Sequence, residues 1–433
     1  MAQSRRPDRM RWEAKGERVR GIRRRLGNRY VLLGAQLLLL VPLLVSVTGG
    51  RVRFPAYRVD LDVYRLGSAA LLHGDALYGT LPQTQDGRFL LFTYPPFAAI
   101  VLAPLTILPY WLACLLLTLV TLGLLAVVLS TVLGALGVLP PGLRGWRRIT
   151  AVLLLAEVLE PVLRTVYAGQ IDLLLLALVV LDVLVETPKW PRGLLIGIAA
   201  AVKLTPAVFL LYFLLRRDGR AAVVSVVTFL AATALGFLIA GADSVRYWTG
   251  ALWDTGRVGE PTYAGNQSLL GLLARAGVPA DARTAWWLPL VAVVLVLTAV
   301  GVRRALLAGE RTVALGVNAV GGLLVSPISW THHWVWAVVV LLGWAELARR
   351  TRRRGLAVFA GAGAVLFVAG PQWWWPRGGE VERHWSFVQQ LTGNGYVLFG
   401  LAVLLAAALV RFPRPEFLSV PDRTRSVASP LRG

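Results

Sequence analysis

Two apolar runs, residues 30–47 and 112–139, are each long enough to cross the hydrocarbon core of a bilayer as a helix. A soluble multidomain enzyme of 433 residues is excluded on the same grounds. The chain is 56% hydrophobic and 16% charged, where soluble chains run at about 45–50% and about 25%. The expectation is an all-α polytopic membrane protein with large outer loops.

The net charge of +22 would suggest a nucleic-acid partner in a soluble protein. Here the arginines cluster beside apolar segments. Ten basic residues lie between Arg5 and Arg25, and a second cluster runs from Arg349 to Arg354. The positive-inside rule expects such clusters in cytoplasmic loops, against anionic lipid. No basic domain with base-stacking aromatics accompanies them, so membrane lipids are expected as partners and nucleic acid is not. The lone Cys114 rules out a disulfide framework and a cysteine-based metal site. The first apolar segment lacks a small-residue cleavage site and reads as a retained anchor.

Candidate spans are 30–48, 95–109, 111–138, 150–167, 171–186, 193–215, 221–241, 285–301, 312–329, 333–348, 355–370 and 395–410, about twelve crossings. This divides the chain into a basic cytoplasmic tail (1–29), a membrane domain (30–410) and a second cytoplasmic tail (411–433). Parity then leaves Arg144, Arg147 and Arg148 outside, against the charge rule, unless the Pro-bounded segment 95–109 is re-entrant. Stretches 49–94, 242–284 and 371–394 share the outer face, where most polar residues that could do chemistry reside. Loops of this length are usually functional.

The first outer stretch carries Asp60-Leu61-Asp62-Val63-Tyr64-Arg65 and ends in Tyr94-Pro95-Pro96. Residues 61–73 suit an amphipathic helix at the interface, with Asp62, Arg65 and Ser68 on one polar face. Asp62 is then a solvated carboxylate paired with Arg65. Asp60 is either the N-cap of that helix or a base able to deprotonate an acceptor hydroxyl at the membrane surface.

The second constellation is Ser326-Pro327-Ile328-Ser329-Trp330-Thr331-His332-His333-Trp334. Adjacent helical residues diverge by about 100°, which argues against both imidazoles binding one metal. The expectation is that one, with His333 favoured, faces the outer cavity and donates to a phosphate, while the other faces lipid or a neighbouring helix. The alternative places both in an aromatic belt. Lys203, in an apolar segment, is a functional candidate by default and pairs with a lipid phosphate or with Glu157, Glu160 or Asp172. Gln170 and Asp172 fall at a helix break. Asn266-Gln267-Ser268 offers groups suited to sugar hydroxyls or to an ordinary amide turn. No GxGxxG, Walker A, HExxH or GxSxG motif stands in a supporting context, so a membrane-borne donor suits the chain better than a nucleotide.

Six motifs occur in order: Asp60-Leu61-x-Val63-Tyr64, Tyr94-Pro95-Pro96, Gly169-Gln170, Lys203-Leu204-Thr205-Pro206, Asn266-Gln267-Ser268-Leu269 and Ser326-Pro-x-Ser329-Trp330-x-His332-His333. Together they resemble the actinobacterial polyprenol-phosphate-mannose-dependent alpha-1,2-mannosyltransferases, the PimE-like family with the GT-C fold, over about residues 55–340. The resemblance implies a plasma-membrane glycosyltransferase that moves mannose from a polyprenyl-phosphate donor to a lipid-linked or cell-envelope glycan acceptor at the periplasmic face. By analogy Asp60 is the base, inversion gives the alpha product, and one of His332 and His333 lies near the donor phosphate or the transferred sugar. Asp62, Tyr64, Tyr94, Gln170, Lys203, Asn266, Gln267, Ser268 and Trp330 are the expected substrate contacts. No metal or other cofactor is expected to be required, although Asp60-Leu61-Asp62 spells DxD. The competing class is a multi-span lipid or sugar transporter or flippase.

Overall fold

The computed structural model describes residues 34–36, 41, 43–48 and 51–413. The expected first span and both tails lie largely or wholly outside the described residues. Apart from a short antiparallel hairpin, Ser46–Thr48 with Arg51–Arg53, all regular structure described is helical. The chain is a multi-pass membrane protein.

Among the described residues, four helices are long and apolar enough to cross a membrane: Tyr110–Ala135, Gly219–Ile239, Ala280–Leu307 and Arg354–Trp373. A fifth is gained if Phe387–Gly393 and Gly395–Leu409, bent by 62°, make one span. The twelve crossings expected are therefore not confirmed among the described residues. Proline explains much of the difference, because its ring clashes with the carbonyl four residues earlier and it has no N–H to donate. Pro161 stands four residues after Glu157, where the Leu143–Glu157 helix stops and Glu160–Ala168 begins. Pro206 does the same to Val202, the end of the Leu194–Val202 helix, and a 3-10 turn, Thr205–Phe209, follows. The segment 95–109 divides into Pro96–Leu102 and Pro104–Ile107, neither long enough to cross.

The Val59–His73 helix does not lie on a surface. It packs against Pro96–Leu102, Pro104–Ile107 and Glu160–Ala168, burying Leu61, Asp62, Val63, Tyr64, Gly67 and Ser68. Ser68, expected on a polar face, donates instead to the Ala99 carbonyl at 2.9 Å. One glycine makes this docking possible. Gly169 ends the Glu160–Ala168 helix at φ 74°, a left-handed conformation that a side chain would strain. A Cβ there would also come within 2.8 Å of the Arg58 Cβ and 3.1 Å of the Leu61 Cβ. Bare backbone at Gly169 thus lets the start of one helix rest on the turn that carries Gln170 and Asp172.

Candidate active site

Three interruptions of helix bring charged groups to one buried point. Asp172 opens the Asp172–Leu184 helix, where its charge suits the positive end of the helix dipole. Lys203 follows the break that Pro206 imposes and is extended, at φ −147° and ψ 125°. His332 and His333 lie in the 3-10 segment Thr331–Trp336, which packs on both Glu160–Ala168 and Asp172–Leu184.

Asp172 joins these elements. Its Oδ1 accepts from Lys203 Nζ at 2.8 Å, and its Oδ2 is 2.6 Å from His332 Nδ1. Lys203 Nζ also lies 3.1 Å from His333 Nε2. An ammonium only donates, so His333 Nε2 accepts and carries no proton; its proton is on Nδ1. By the same reasoning His332 donates from Nδ1 to the carboxylate, and its Nε2 remains for another partner. Both Asp172 and Lys203 side chains are below a tenth exposed. Of the three carboxylates weighed for Lys203, Asp172 is the partner. Glu160 instead accepts from Trp373 and Tyr396, and Glu157 from Gln36.

Of the two histidines, His333 lines the cavity and His332 turns to Asp172 at the start of a neighbouring helix, yet the two are not separated. Both imidazoles enter the same cluster, their rings 4.5 Å apart and nearly perpendicular, because Asp172 and Lys203 draw them from two sides. Ligand atoms of Asp172, His332 and His333 all lie within 4.8 Å of one another, a set that could hold a divalent ion. Yet the Lys203 ammonium already contacts two of the three groups, and it supplies there the positive charge that a metal would bring.

Asp60 joins from the first turn of Val59–His73. It is not the N-cap, which is Arg58, so the capping explanation fails. Gln170 Oε1 accepts from the Tyr64 hydroxyl at 2.6 Å and the Tyr94 hydroxyl at 2.9 Å, which turns its amide nitrogen toward Asp60 as a donor. Burial pushes the Asp60 carboxyl above the ordinary aspartate range. His332, the Gln170 hydrogen bond and Lys203 pull the other way, while Asp172 adds to the rise. A carboxylate of raised basicity, held beside an imidazole, is suited to accept a proton.

A cavity of about 400 Å³ opens beside the cluster. Lys203, His333, Asp172 and Tyr94 form its polar end, and Phe209, Leu252, Leu323 and Trp336 are among its apolar walls. Arg257 also lines it; one Nη donates to the Tyr78 carbonyl, while its buried Nε has no partner among the described residues. Asp172 offsets the charge of Lys203, so Arg257 brings the cavity a positive charge that no lining carboxylate answers. Sequence reasoning missed Arg257, one of several arginines in 242–284 with no local motif to single it out. Asp172 entered there as one of three carboxylates open to Lys203 and as a residue at a helix break, with no sign that it also holds His332.

Other expected contacts have scaffold partners. Asn266 donates to the Pro261 and Pro327 carbonyls and accepts from the Ser329 N–H. Gln267 Nε2 donates to the Ala264 and Gly393 carbonyls. Ser268 donates to Pro327 and caps the Leu269–Arg275 helix. All three are fully buried, so their groups face the fold and not a sugar. Trp330 bridges Asn266 through backbone and packs edge-on against Tyr263, outside the cavity lining. Tyr64 is buried behind Tyr94. The Asp62–Arg65 pair does not form either. Asp62 is buried and accepts from the Gln85 N–H at 2.7 Å and the Tyr57 hydroxyl at 3.1 Å, while Arg65 donates to the Leu105 and Leu108 carbonyls. The cause is the docking of the helix into the fold, which leaves that face no solvent.

The model of glycosyltransferase family 87 matches residues 92–327. The polyprenol-phosphate-mannose-dependent alpha-(1-2)-phosphatidylinositol mannoside mannosyltransferase of Mycobacterium tuberculosis (strain ATCC 25618 / H37Rv) is 42% identical over 369 residues, covering 82% of this chain and 85% of that protein. Its namesake in Mycolicibacterium smegmatis (strain ATCC 700084 / mc(2)155) is 41% identical over 376 residues, 83% of this chain and 85% of that one. Among solved structures, the crystal structure of ArnT from Cupriavidus metallidurans bound to undecaprenyl phosphate aligns at a TM-score of 0.42 and 15% identity, over 88% of this chain and 77% of that chain. That likeness is too distant to carry further argument.

Proposed function

The chain belongs to glycosyltransferase family 87, and from that membership we propose that it moves mannose from a polyprenyl-phosphate donor to a phosphatidylinositol-anchored mannoside. The bond formed is alpha-1,2, by single displacement with inversion at the anomeric carbon. Membership in a glycosyltransferase family sets the transporter alternative aside.

One observation carries the mechanism: Asp172 and Lys203 line the polar end of an apolar-walled cavity, and Asp172 ties Lys203 to His332, whose charge acts on Asp60. The polyprenyl chain follows the apolar wall and brings its phosphate to Lys203 and Arg257. Asp60 takes the proton of the acceptor hydroxyl as its oxygen attacks the sugar. The bond from the anomeric carbon to the phosphate oxygen breaks, and polyprenyl phosphate leaves with the added negative charge. The two cations and the Nδ1–H of His333 stabilise that charge as it develops. This reading needs no metal, because side-chain cations do the neutralising.

We also take the fold to be of the GT-C type, with the site on the periplasmic side of the plasma membrane and both termini cytoplasmic. The Ala337–Thr351 helix supports this orientation: it starts next to the histidines and ends at Arg349 and Arg350, with Arg352, Arg353 and Arg354 beyond. By the positive-inside rule that end is cytoplasmic.

The test uses the full chain, purified in detergent, with radiolabelled polyprenyl-phosphate mannose and phosphatidylinositol mannosides. Transfer that yields an alpha-1,2-mannosidase-sensitive product is expected. A folded protein that is inactive with this donor but active with a nucleotide sugar would overturn the reading.

A further inference from the structure

Away from the catalytic cluster lies a second hollow, a groove of about 690 Å³ between the Leu143–Glu157, Ala337–Thr351 and Arg354–Ala369 helices. Its walls include Val152, Leu155, Val338, Leu342 and Ala345, and one end is closed by Arg349, Arg352, Arg353 and Arg354. Since the Ala337–Thr351 helix has 15 residues, that end is about 22 Å from the histidines at 1.5 Å per residue. The groove is a separate site.

The charges there are unbalanced within the protein. Glu346 pairs with Arg349 and Arg350, and Glu310 pairs with Arg350. No carboxylate pairs with Arg352, Arg353 or Arg354 among the described residues. The Arg353 side chain donates to the Arg411 carbonyl, and the side chains of Arg352 and Arg354 have no hydrogen-bonded or ionic partner among those residues. These charges also sit at the N-terminus of the Arg354–Ala369 helix, which has no side-chain cap and no acidic residue in its first turn. Helix dipole and arginines therefore repel one another where an anion would be stabilised by both.

We infer that this groove binds an anionic glycerophospholipid of the surrounding leaflet, with its phosphate against Arg352 and Arg354 and an acyl chain along the apolar walls. Charge complementarity sets the headgroup class, and the continuous apolar wall requires a lipid in place of a free anion. The inference does not depend on the donor or acceptor proposed above.

Native mass spectrometry of the full chain in detergent tests it, with phosphatidylglycerol, phosphatidylcholine and inorganic phosphate as probes. Arg352→Asn with Arg354→Gln removes both charges, and Asn is suited to the left-handed backbone at 352 (φ 53°). Gly361→Phe fills the groove, because nothing lies within 4 Å of the place its Cβ would take. At about fivefold per arginine at a membrane surface, the double variant should bind phosphatidylglycerol about 25-fold more weakly and lose its preference over phosphatidylcholine. Gly361→Phe should weaken both lipids, and Arg220→Gln, exposed on another helix, neither. Equal phosphatidylglycerol binding by wild type and the double variant would overturn the site. Displacement of bound lipid by equimolar phosphate, with Gly361→Phe silent, would overturn it in favour of a simple anion contact.

Discussion

Asn266–Ser268 and Gln170–Asp172 are both short segments just ahead of or opening a helix, both buried, and both carry polar side chains, with Ile171 the one apolar member. They differ in their partners. Every side-chain hydrogen bond of Asn266, Gln267 and Ser268 goes to the backbone of the fold. Gln170 and Asp172 bond to Tyr64, Tyr94, Lys203 and His332, all side chains with protons to give. A buried amide bonded to carbonyls fixes a loop, and its burial is stabilising only while those bonds stand. A buried carboxylate bonded to an ammonium and an imidazole can respond to charge appearing nearby. Partner type, more than residue type, separates scaffold from chemistry here.

The largest effect should fall on the residue that the second triplet supports. Asp60→Asn should lower transfer by 10²–10⁴-fold, as removal of a positioned base does, while size-exclusion behaviour stays that of wild type. The pH dependence carries a sign. Burial raises the Asp60 pKa, so its base form is lost as pH falls through a value above the ordinary aspartate range of about 4. The acid limb of kcat/KM should lie above that range. A limb at or below it would detach Asp60 from proton transfer.

Lys203→Met comes next and tests whether the cluster is held by charge. Breaking a buried pair on one side typically destabilises by about 3–5 kcal/mol, so both thermal stability and turnover should drop. Asp172→Asn combined with Lys203→Met leaves no lone charge and should regain most of the stability but none of the activity. Recovery of activity in that double variant would make the pair a structural tie and erase the contrast with Asn266–Ser268. His333→Ala should lower kcat by at least about tenfold with donor affinity little changed, the signature of an interaction made in the transition state.

The sequence shows much of this and hides a definable part. The family resemblance drawn from six motifs is borne out by the matches. The span count is not readable in the same way. Apolar composition marks a segment as buried or lipid-facing, but Pro161 and Pro206 turn apparent spans into broken pairs, and only packing shows where each half goes. Asp62 and Arg65 stand at helical spacing that favours pairing on a free helix. Tertiary contacts give each a better partner, so local spacing misleads there. Lys203 was legible as an outlier, yet its choice of Asp172 over Glu157 and Glu160 depends on three elements far apart in the chain.

On the scaffold side, Gln267→Ala should cost about 1–3 kcal/mol of stability, the usual penalty for leaving buried carbonyls unsatisfied. Turnover per folded molecule should remain within about twofold. Loss of turnover with stability intact would move Gln267 into the site and break the rule drawn from partner type.

The smallest effect expected is none, on chelation. Asp172, His332 and His333 have the composition and closeness of a metal site, so geometry alone permits a divalent ion. An ion bound there would need the Lys203 ammonium, 2.8 Å from Asp172 and 3.1 Å from His333, to withdraw into surroundings that are largely apolar. Moving a buried ammonium away from its carboxylate is unfavourable by several kcal/mol, and nothing nearby but Arg257 would then neutralise a leaving phosphate. Prolonged dialysis against EDTA should therefore leave mannosyl transfer within about twofold of its starting rate. If activity is lost and returns with added Mn²⁺ or Mg²⁺, the ammonium is not the resident cation. Lys203→Met should then bind the ion more tightly than wild type, since the competing charge is gone. If EDTA is silent in both proteins, the lysine occupies the place of a metal, and Asp172 holds a permanent side-chain cation against the donor.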